Sequence, residues 1–212
     1  MFMRNETSFL DSDIIDLPRA PSGVAPEPRA ALNYGMIAGT MVETEFGWQP
    51  VEALAAGIRL FTYDGGLRPL ARVERSFARV AEGAGLVQIP GGVIKGVADV
   101  TLLPDQLVMI DSTEAEISHG RPTVLIPAAA FFGVPGVRVL TSDAVLDLTT
   151  LAFEDEEVIF AGGELRLHCP APDGGLTALT RAPGSGFWDV LDVGQGRDLL
   201  ADLFAPDLPE AA

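Results

Sequence analysis

"GTMVETEFGWQPVEALAAGIRLFTYDGG", residues 39–66, decides the fold class. Phe46-Gly47 and Asp64-Gly65-Gly66 are turn signals, because Gly and Asp tolerate the positive φ that tight turns demand. They cut the stretch into short β-type runs. Between them Pro50 precedes Val51 and Leu54 at helical spacing and Gly57 ends the segment, which predicts one or two helical turns. A helix of that length holds only when packed against something else.

The same rhythm continues outward. Short β-type runs at 40–43, 58–63, 71–77, 85–89, 99–103, 107–111, 137–140, 146–150 and 157–161 alternate with turn residues. Spacing of this kind predicts a mostly β domain over residues 34–165. The segment "PAAAFFG" (127–133) reads as a second short helical turn.

On either side the pattern changes. Residues 1–33 contain Pro18, Pro21, Pro26 and Pro28 without a sustained apolar period, which reads as an extended N-terminal arm. Phe2, Phe9, Leu10, Ile14 and Ile15 are more apolar anchors than a plain spacer carries. Residues 166–212 return to turn residues and then to "FWDVLDVGQGRDLLADLFAPDLPEAA", a C-terminal extension with a short helix. Asp198 is a candidate N-cap that places Leu199, Leu200, Leu203 and Phe204 on one side before Pro206. Such a helix must dock, either on its own domain or on a partner. Phe187 and Trp188, in a Gly-rich segment, are candidate interface anchors together with Leu200 and Phe204.

Composition removes several classes of function. In 212 residues, 30 acidic side chains against 14 basic ones leave a formal net charge of -16, and Lys95 is the sole lysine. Nucleic acids and anionic lipid need a basic stripe, so neither is an expected partner. Cys169 is the only cysteine, which excludes an intramolecular disulfide and argues against a thiolate metal site. The first twenty residues place acids where a signal peptide carries its apolar core, and no apolar run reaches membrane-spanning length. The expectation is a soluble, cytoplasmic chain with no direct membrane insertion and no cofactor.

The order Gly39-Thr40, Gly47, Pro50-Val51-Glu52, Leu54, Gly57, Leu60, Thr62, Asp64-Gly65-Gly66 and Pro69-Leu70 resembles the opening of bacterial Hedgehog/intein (Hint) domains. "VTLLPDQLVMI" looks like the strand that carries the family's Ser/Thr-Pro-x-His-Arg motif, and "LTTLAFEDEEVIFAGG" resembles its closing strand. The resemblance implies a compact Hint-like β domain with short helical turns, flanked by extended arms. It also implies self-cleavage chemistry: a Cys or Ser attacks the preceding carbonyl, a histidine assists the leaving amide and a hydroxyl orients the bond. The residues at those positions are different. Aligned on Gly39-Thr40, the nucleophile position is Gly35; aligned on Pro104, the hydroxyl position is Leu103 and the histidine position Gln106. The closing histidine falls near Glu156. Groups that act as a unit are not replaceable singly, so the expectation is a catalytically degenerate domain with no enzymatic activity. Asn33 and Tyr34, the nearest polar groups, are not usual acyl acceptors.

Other residues offer less. His119, in "STEAEISHGRPT", reads as a solvated loop residue, and His168-Cys169 in a strand would point to opposite faces. Glu154 to Glu157 lack the Gly-turn loop of a calcium site and read as a solvated acidic turn. "GGVIKG" and "GSG" lack the spacing of a phosphate loop. The sequence therefore favours a non-catalytic interaction module, an accessory or structural subunit contacting other protein subunits through its arms. An autoprocessing domain with non-standard residues and a secreted effector or surface protein are the alternatives.

Overall fold

Residues one apart in a strand face opposite ways, and the chain uses this from its first hairpin. In the computed structural model, which describes residues 35–79, 85–141, 144–171 and 187–205, β2 (Met41–Thr44) turns Val42 and Thr44 inward and leaves Met41 exposed. β3 (Gly47–Pro50) pairs back on it, with Glu43 opposite Trp48. β4 (Arg59–Thr62) buries Leu60 and Thr62 and pairs with β5 (Gly66–Pro69) across the Asp64-Gly65-Gly66 turn.

These strands belong to an eight-stranded sheet in the order β10-β9-β14-β13-β2-β4-β5, with β3 on β2. Its other members are β9 (Leu107–Asp111), β10 (Thr123–Pro127), β13 (Glu157–Ala161) and β14 (Leu165–Cys169). A six-stranded sheet has the order β11-β7-β8-β1-β12-β6. It contains β1 (Met36–Ile37), β6 (Arg72–Arg79), β7 (Leu86–Ile89), β8 (Val100–Leu102), β11 (Arg138–Leu140) and β12 (Val145–Ala152). Every pairing within the two sheets is antiparallel. The mostly β domain with short helical turns expected from the sequence is observed.

One continuous core joins Val42 and Leu60 of the first hairpins with Ile89, Val108, Phe131 and Phe153, all buried. Full burial of each such side chain contributes about 1.5–3 kcal/mol. The two expected helical turns are 3-10 turns at Val51–Ala53 and Ala128–Phe131. Among the described residues, no helix is long and apolar enough to cross a membrane.

Several local expectations are corrected. Strands β3, β5, β10 and β14 were absent from the runs read in the sequence. β3 and β5 follow directly on turn residues and carry no alternation of their own, so their pairing partners define them. The polar turn expected around His119 is helix α1 (Thr113–His119). Ser112 caps it by accepting from the Ala115 N–H, and Gly120 closes it in the left-handed region at φ 75. Only Ala115 is buried there, so an apolar stripe could not reveal it. The C-terminal helix α2 (Val193–Leu203) begins earlier than Asp198, which sits inside it. Its N-cap is Asp192, in a reciprocal capping box with Gln195.

α2 docks on its own domain. Gly196 lies so close to Ala130 and Ile126 that a Cβ there would stand 2.8 and 3.2 Å from their Cβ atoms. Leu199 and Leu200 then enter the main core, with Leu203 and Phe204 packed at its edge. Leu200→Ala is expected to cost about 2–4 kcal/mol, the usual range for a cavity in a packed core. Phe187→Ala, at an exposed site where the ring meets Trp188 edge-on, should cost about 1 kcal/mol or less. Urea unfolding of both variants checks this; equal, small losses would mean that α2 is not docked.

Candidate functional site

β1 is only two residues long, yet it holds the centre of the six-stranded sheet. Met36 pairs with Leu102 of β8 on one side and Thr149 of β12 on the other. Gly35, immediately before it, is buried and adopts φ 125, a region that side chains rarely enter. A Cβ at this position would stand 3.3 Å from Thr150 Oγ1, 3.6 Å from the Thr149 carbonyl oxygen and 3.7 Å from Leu148 Cβ. The conformation and the space both suit glycine. Asn33 and Tyr34 lie outside the described residues.

Leu103 continues from β8 beside this strand. It is buried with Ala78, Leu86 and Leu148 in a small apolar cluster, against which Ile37, Leu140 and Leu146 also pack. Gln106 is buried too, and its amide nitrogen is engaged: Nε2 donates to the carbonyls of Leu107 (3.2 Å) and His168 (3.1 Å). Its backbone N–H bonds the Leu103 carbonyl, and its own carbonyl accepts from Ala128. Glu156 Oε1 lies 2.7 Å from His168 Nε2. Thus Gly35 and Leu103 flank the start of β1, while Gln106 and Glu156 are joined to each other through His168.

Thr149 and Thr150 are not among the sequence-derived candidates, and His168, read as facing away from Cys169, does so. Thr149 Oγ1 is buried without a hydrogen-bond partner, and Thr150 supplies the hydroxyl nearest to Gly35. Alternation in "LRLHC" puts Leu165, Leu167 and Cys169 on the buried face of β14, and His168 on the other. That was the available signal for His168. No signal marked the threonines, whose role depends on which strand lies beside β1.

The acidic turn splits in two directions. Glu156 meets His168, whereas Glu157 is buried at the start of β13 opposite Cys169, with Arg68 Nε 3.3 Å from its Oε1. Its Oε2 has no hydrogen-bond partner. Burial pushes the Glu157 carboxyl above its ordinary value, and the Thr62 hydroxyl and the Arg68 charge only partly offset this. Burial also pushes the Cys169 thiol far up, with the Glu157 charge adding to it, so Cys169 is held as a neutral thiol. Glu157 was read as part of a solvated turn, and the structure corrects this. The buried side of β13 takes its carboxylate.

The interaction candidates have separate fates. Phe2, Phe9, Leu10, Ile14 and Ile15 lie outside the described residues. Trp188 is 7% exposed and packs with Met109, Leu125 and Val158, with its ring edge-on to Tyr63 and Phe187. Leu200 is in the main core and Phe204 packs at its edge. Phe187 alone of this group stays open, at 68% exposure.

A family model described as "Hint domain" matches residues 34–165, more than half of the chain. The chain belongs to the Hint domain family. Among solved structures, it is similar to a bacterial intein-like domain from Clostridium thermocellum at 13% identity and a TM-score of 0.41, covering 63% of this chain and 97% of that one. It is similar also to a splice-inactive variant of the AceL NrdHF class 3 split intein, at 12% identity and a TM-score of 0.40, covering 65% and 98%. The MchDnaB-1 intein gives 14% identity and a TM-score of 0.38, covering 63% and 98%. No curated protein matches the chain.

Within this Hint domain the buried Glu157 makes a pH test possible. Its folded-state pKa is raised, so the folded chain prefers the neutral acid. Stability from this group is present below the unfolded value and is lost as pH rises through the raised folded value. Glu157→Gln should therefore remove a loss of stability that sets in as pH rises above the ordinary carboxylate range. Asp147, whose carboxyl Arg75 holds below its usual range, contributes in the opposite sense and is lost only as pH falls. Thermal melts of the wild type and Glu157→Gln from pH 4 upward check this; parallel curves would contradict it.

Proposed function

We propose that this Hint domain is a non-catalytic protein-interaction module, an accessory subunit of a larger protein assembly that works in the cytoplasm. The observation that carries the reading is Gly35. The position that the Hint pattern gives to the nucleophile has no side-chain atom, and its φ of 125 and the 3.3 Å approach to Thr150 Oγ1 leave little room for one. Acyl transfer needs an attacking atom before any base or oxyanion donor can help.

The neighbouring positions support the same reading. Leu103 brings a hydrocarbon into an apolar cluster where the pattern has an orienting hydroxyl. Gln106 has no titratable proton, and its amide is engaged with two backbone carbonyls. An attacking group, an orienting hydroxyl and a proton donor act as one unit in this chemistry, and loss of all three is not repaired at one position. The arms, with Phe2, Phe9, Leu10, Ile14 and Ile15 at one end, are the segments proposed to reach other subunits. Ordering them on a partner costs entropy that their apolar anchors offset.

The tagged full-length chain, purified from its native source and measured by intact mass, tests this. Full-length mass with stoichiometric protein companions is expected, and so is unchanged mass after incubation with thiol. Gly35→Cys should also remain uncleaved, and should be destabilised by about 1–3 kcal/mol because a side chain is forced into a left-handed conformation. A fragment beginning at Gly35 in the unmodified chain would overturn the proposal.

A further inference from the structure

A second surface of the domain, away from β1, has the form of a binding site. Met41 and Trp48 stand exposed on the outer face of the β2–β3 hairpin. They wall an open cavity of about 320 Å³ that also takes in Gly96, Asp99, Gly162 and Gly163. Three glycines, Ala98 and Val100 complete its lining, so small and apolar groups form most of it. A Cβ on Gly163 would run into the Gly96 carbonyl, and backbone groups of the floor pair with one another and with β2: Gly162 N–H to Met41 O (2.8 Å), Ala98 N–H to Gly162 O (2.6 Å) and Glu164 N–H to Gly96 O (3.0 Å). What remains available is apolar surface and one indole face.

The rim is acidic. Asp99 accepts the Gly91 N–H on Oδ1 (2.7 Å), and its other oxygen has no partner among the described residues. The Glu164 side chain lies against Gly96, and Glu43 is the cross-strand partner of Trp48. Lys95 is the single cation on this loop. From Trp48 one row of side chains leads across the sheet, through Glu43, to exposed apolar groups. Thr44 pairs with Leu60, so one step along Glu43 faces Phe61, which in turn pairs with Leu67; Phe61 and Leu67 are both exposed.

We propose that this surface binds an extended segment of another protein, with a lysine or arginine side chain in the Trp48 cavity and apolar neighbours along Phe61 and Leu67. Such a side chain is a hydrocarbon stem with a cationic tip, which suits an indole wall, a glycine floor and a carboxylate end. The volume is at the small end for a ligand pocket and takes a side chain better than a cofactor. The chain's own N-terminal arm is the wrong occupant by charge, with five acidic residues to three basic ones in residues 1–33. The whole chain, at -16, attracts a basic partner and repels an acidic one. This rests on the interaction-module reading only in taking the partner to be a protein.

The test titrates the full-length chain, isotope-labelled, with the capped tripeptides Val-Lys-Val, Val-Arg-Val, Val-norleucine-Val and Val-Glu-Val, following the Trp48 indole and Met41 methyl signals by NMR. Saturable shifts at both signals are expected with the two basic peptides, weakening as salt is raised. Val-Glu-Val should leave them unmoved. Trp48→Ala and Asp99→Asn should each weaken binding of the basic peptides about fivefold or more, whereas Ile117→Ala, on exposed α1, should leave it unchanged. No shift at millimolar peptide, or equal shifts from all four peptides, overturns the proposal. If the peptides leave Trp48 unmoved while the intact chain still carries companions through its arms, this inference alone fails. Self-cleavage at Gly35 overturns the module reading and leaves the peptide result standing.

Discussion

Strand β13 is hydrogen-bonded to β14 on one side and to β2 and β4 on the other, and most of the molecule depends on that pairing. Val158, Ile159 and Ala161 are fully buried, so the strand joins the first hairpins to the end of the domain through backbone bonds and apolar contacts together. Its two ends carry the chemically unusual features. At the start, Glu157 is buried by the same register that pairs it with Cys169. At the finish, Gly162 and Gly163 turn the chain with positive φ and pack against the Gly96 loop, forming the floor of the Trp48 cavity.

The β1 region shows how little a short central strand asks of its own side chains. A two-residue strand between two longer ones needs little from side chains, since its neighbours supply the hydrogen-bonding partners. What side chains add here is apolar packing around Leu103 and a polar link from Gln106 through His168 to Glu156. Both features tie β8, β9 and β14 into place. Thr149 Oγ1, buried without a partner, is the exception, and a buried unpaired hydroxyl costs about 1–3 kcal/mol.

Much of the fold was legible in the sequence. Runs such as 107–111 and 157–161 coincide with β9 and β13, and both short turns after Pro50 and Pro127 are present, because alternation and proline act locally. The missed elements share one cause. β3 and β5 are strands through pairing with β2 and β4, α1 is specified by Ser112 and Gly120 at its ends, and Asp192 outcompetes Asp198 by sharing a capping box with Gln195. Trp188, in a turn-rich segment, and Leu200, on a short helix that must dock somewhere, read as possible interface anchors until the surface beneath them is known.

The sequence by itself determined the family, the β-rich rhythm, the acidic charge and the absence of a side chain at Gly35, all of which are properties of residue type and spacing. Only the tertiary structure decided that α2 docks on its own domain, that Glu157 is buried while Glu156 reaches His168, and that Met41, Trp48 and Asp99 share one cavity. Met41 and Trp48 share one hairpin, but Asp99 and Gly163 lie far from it in the chain. Their meeting follows from strand register and loop packing, which depend on the whole core.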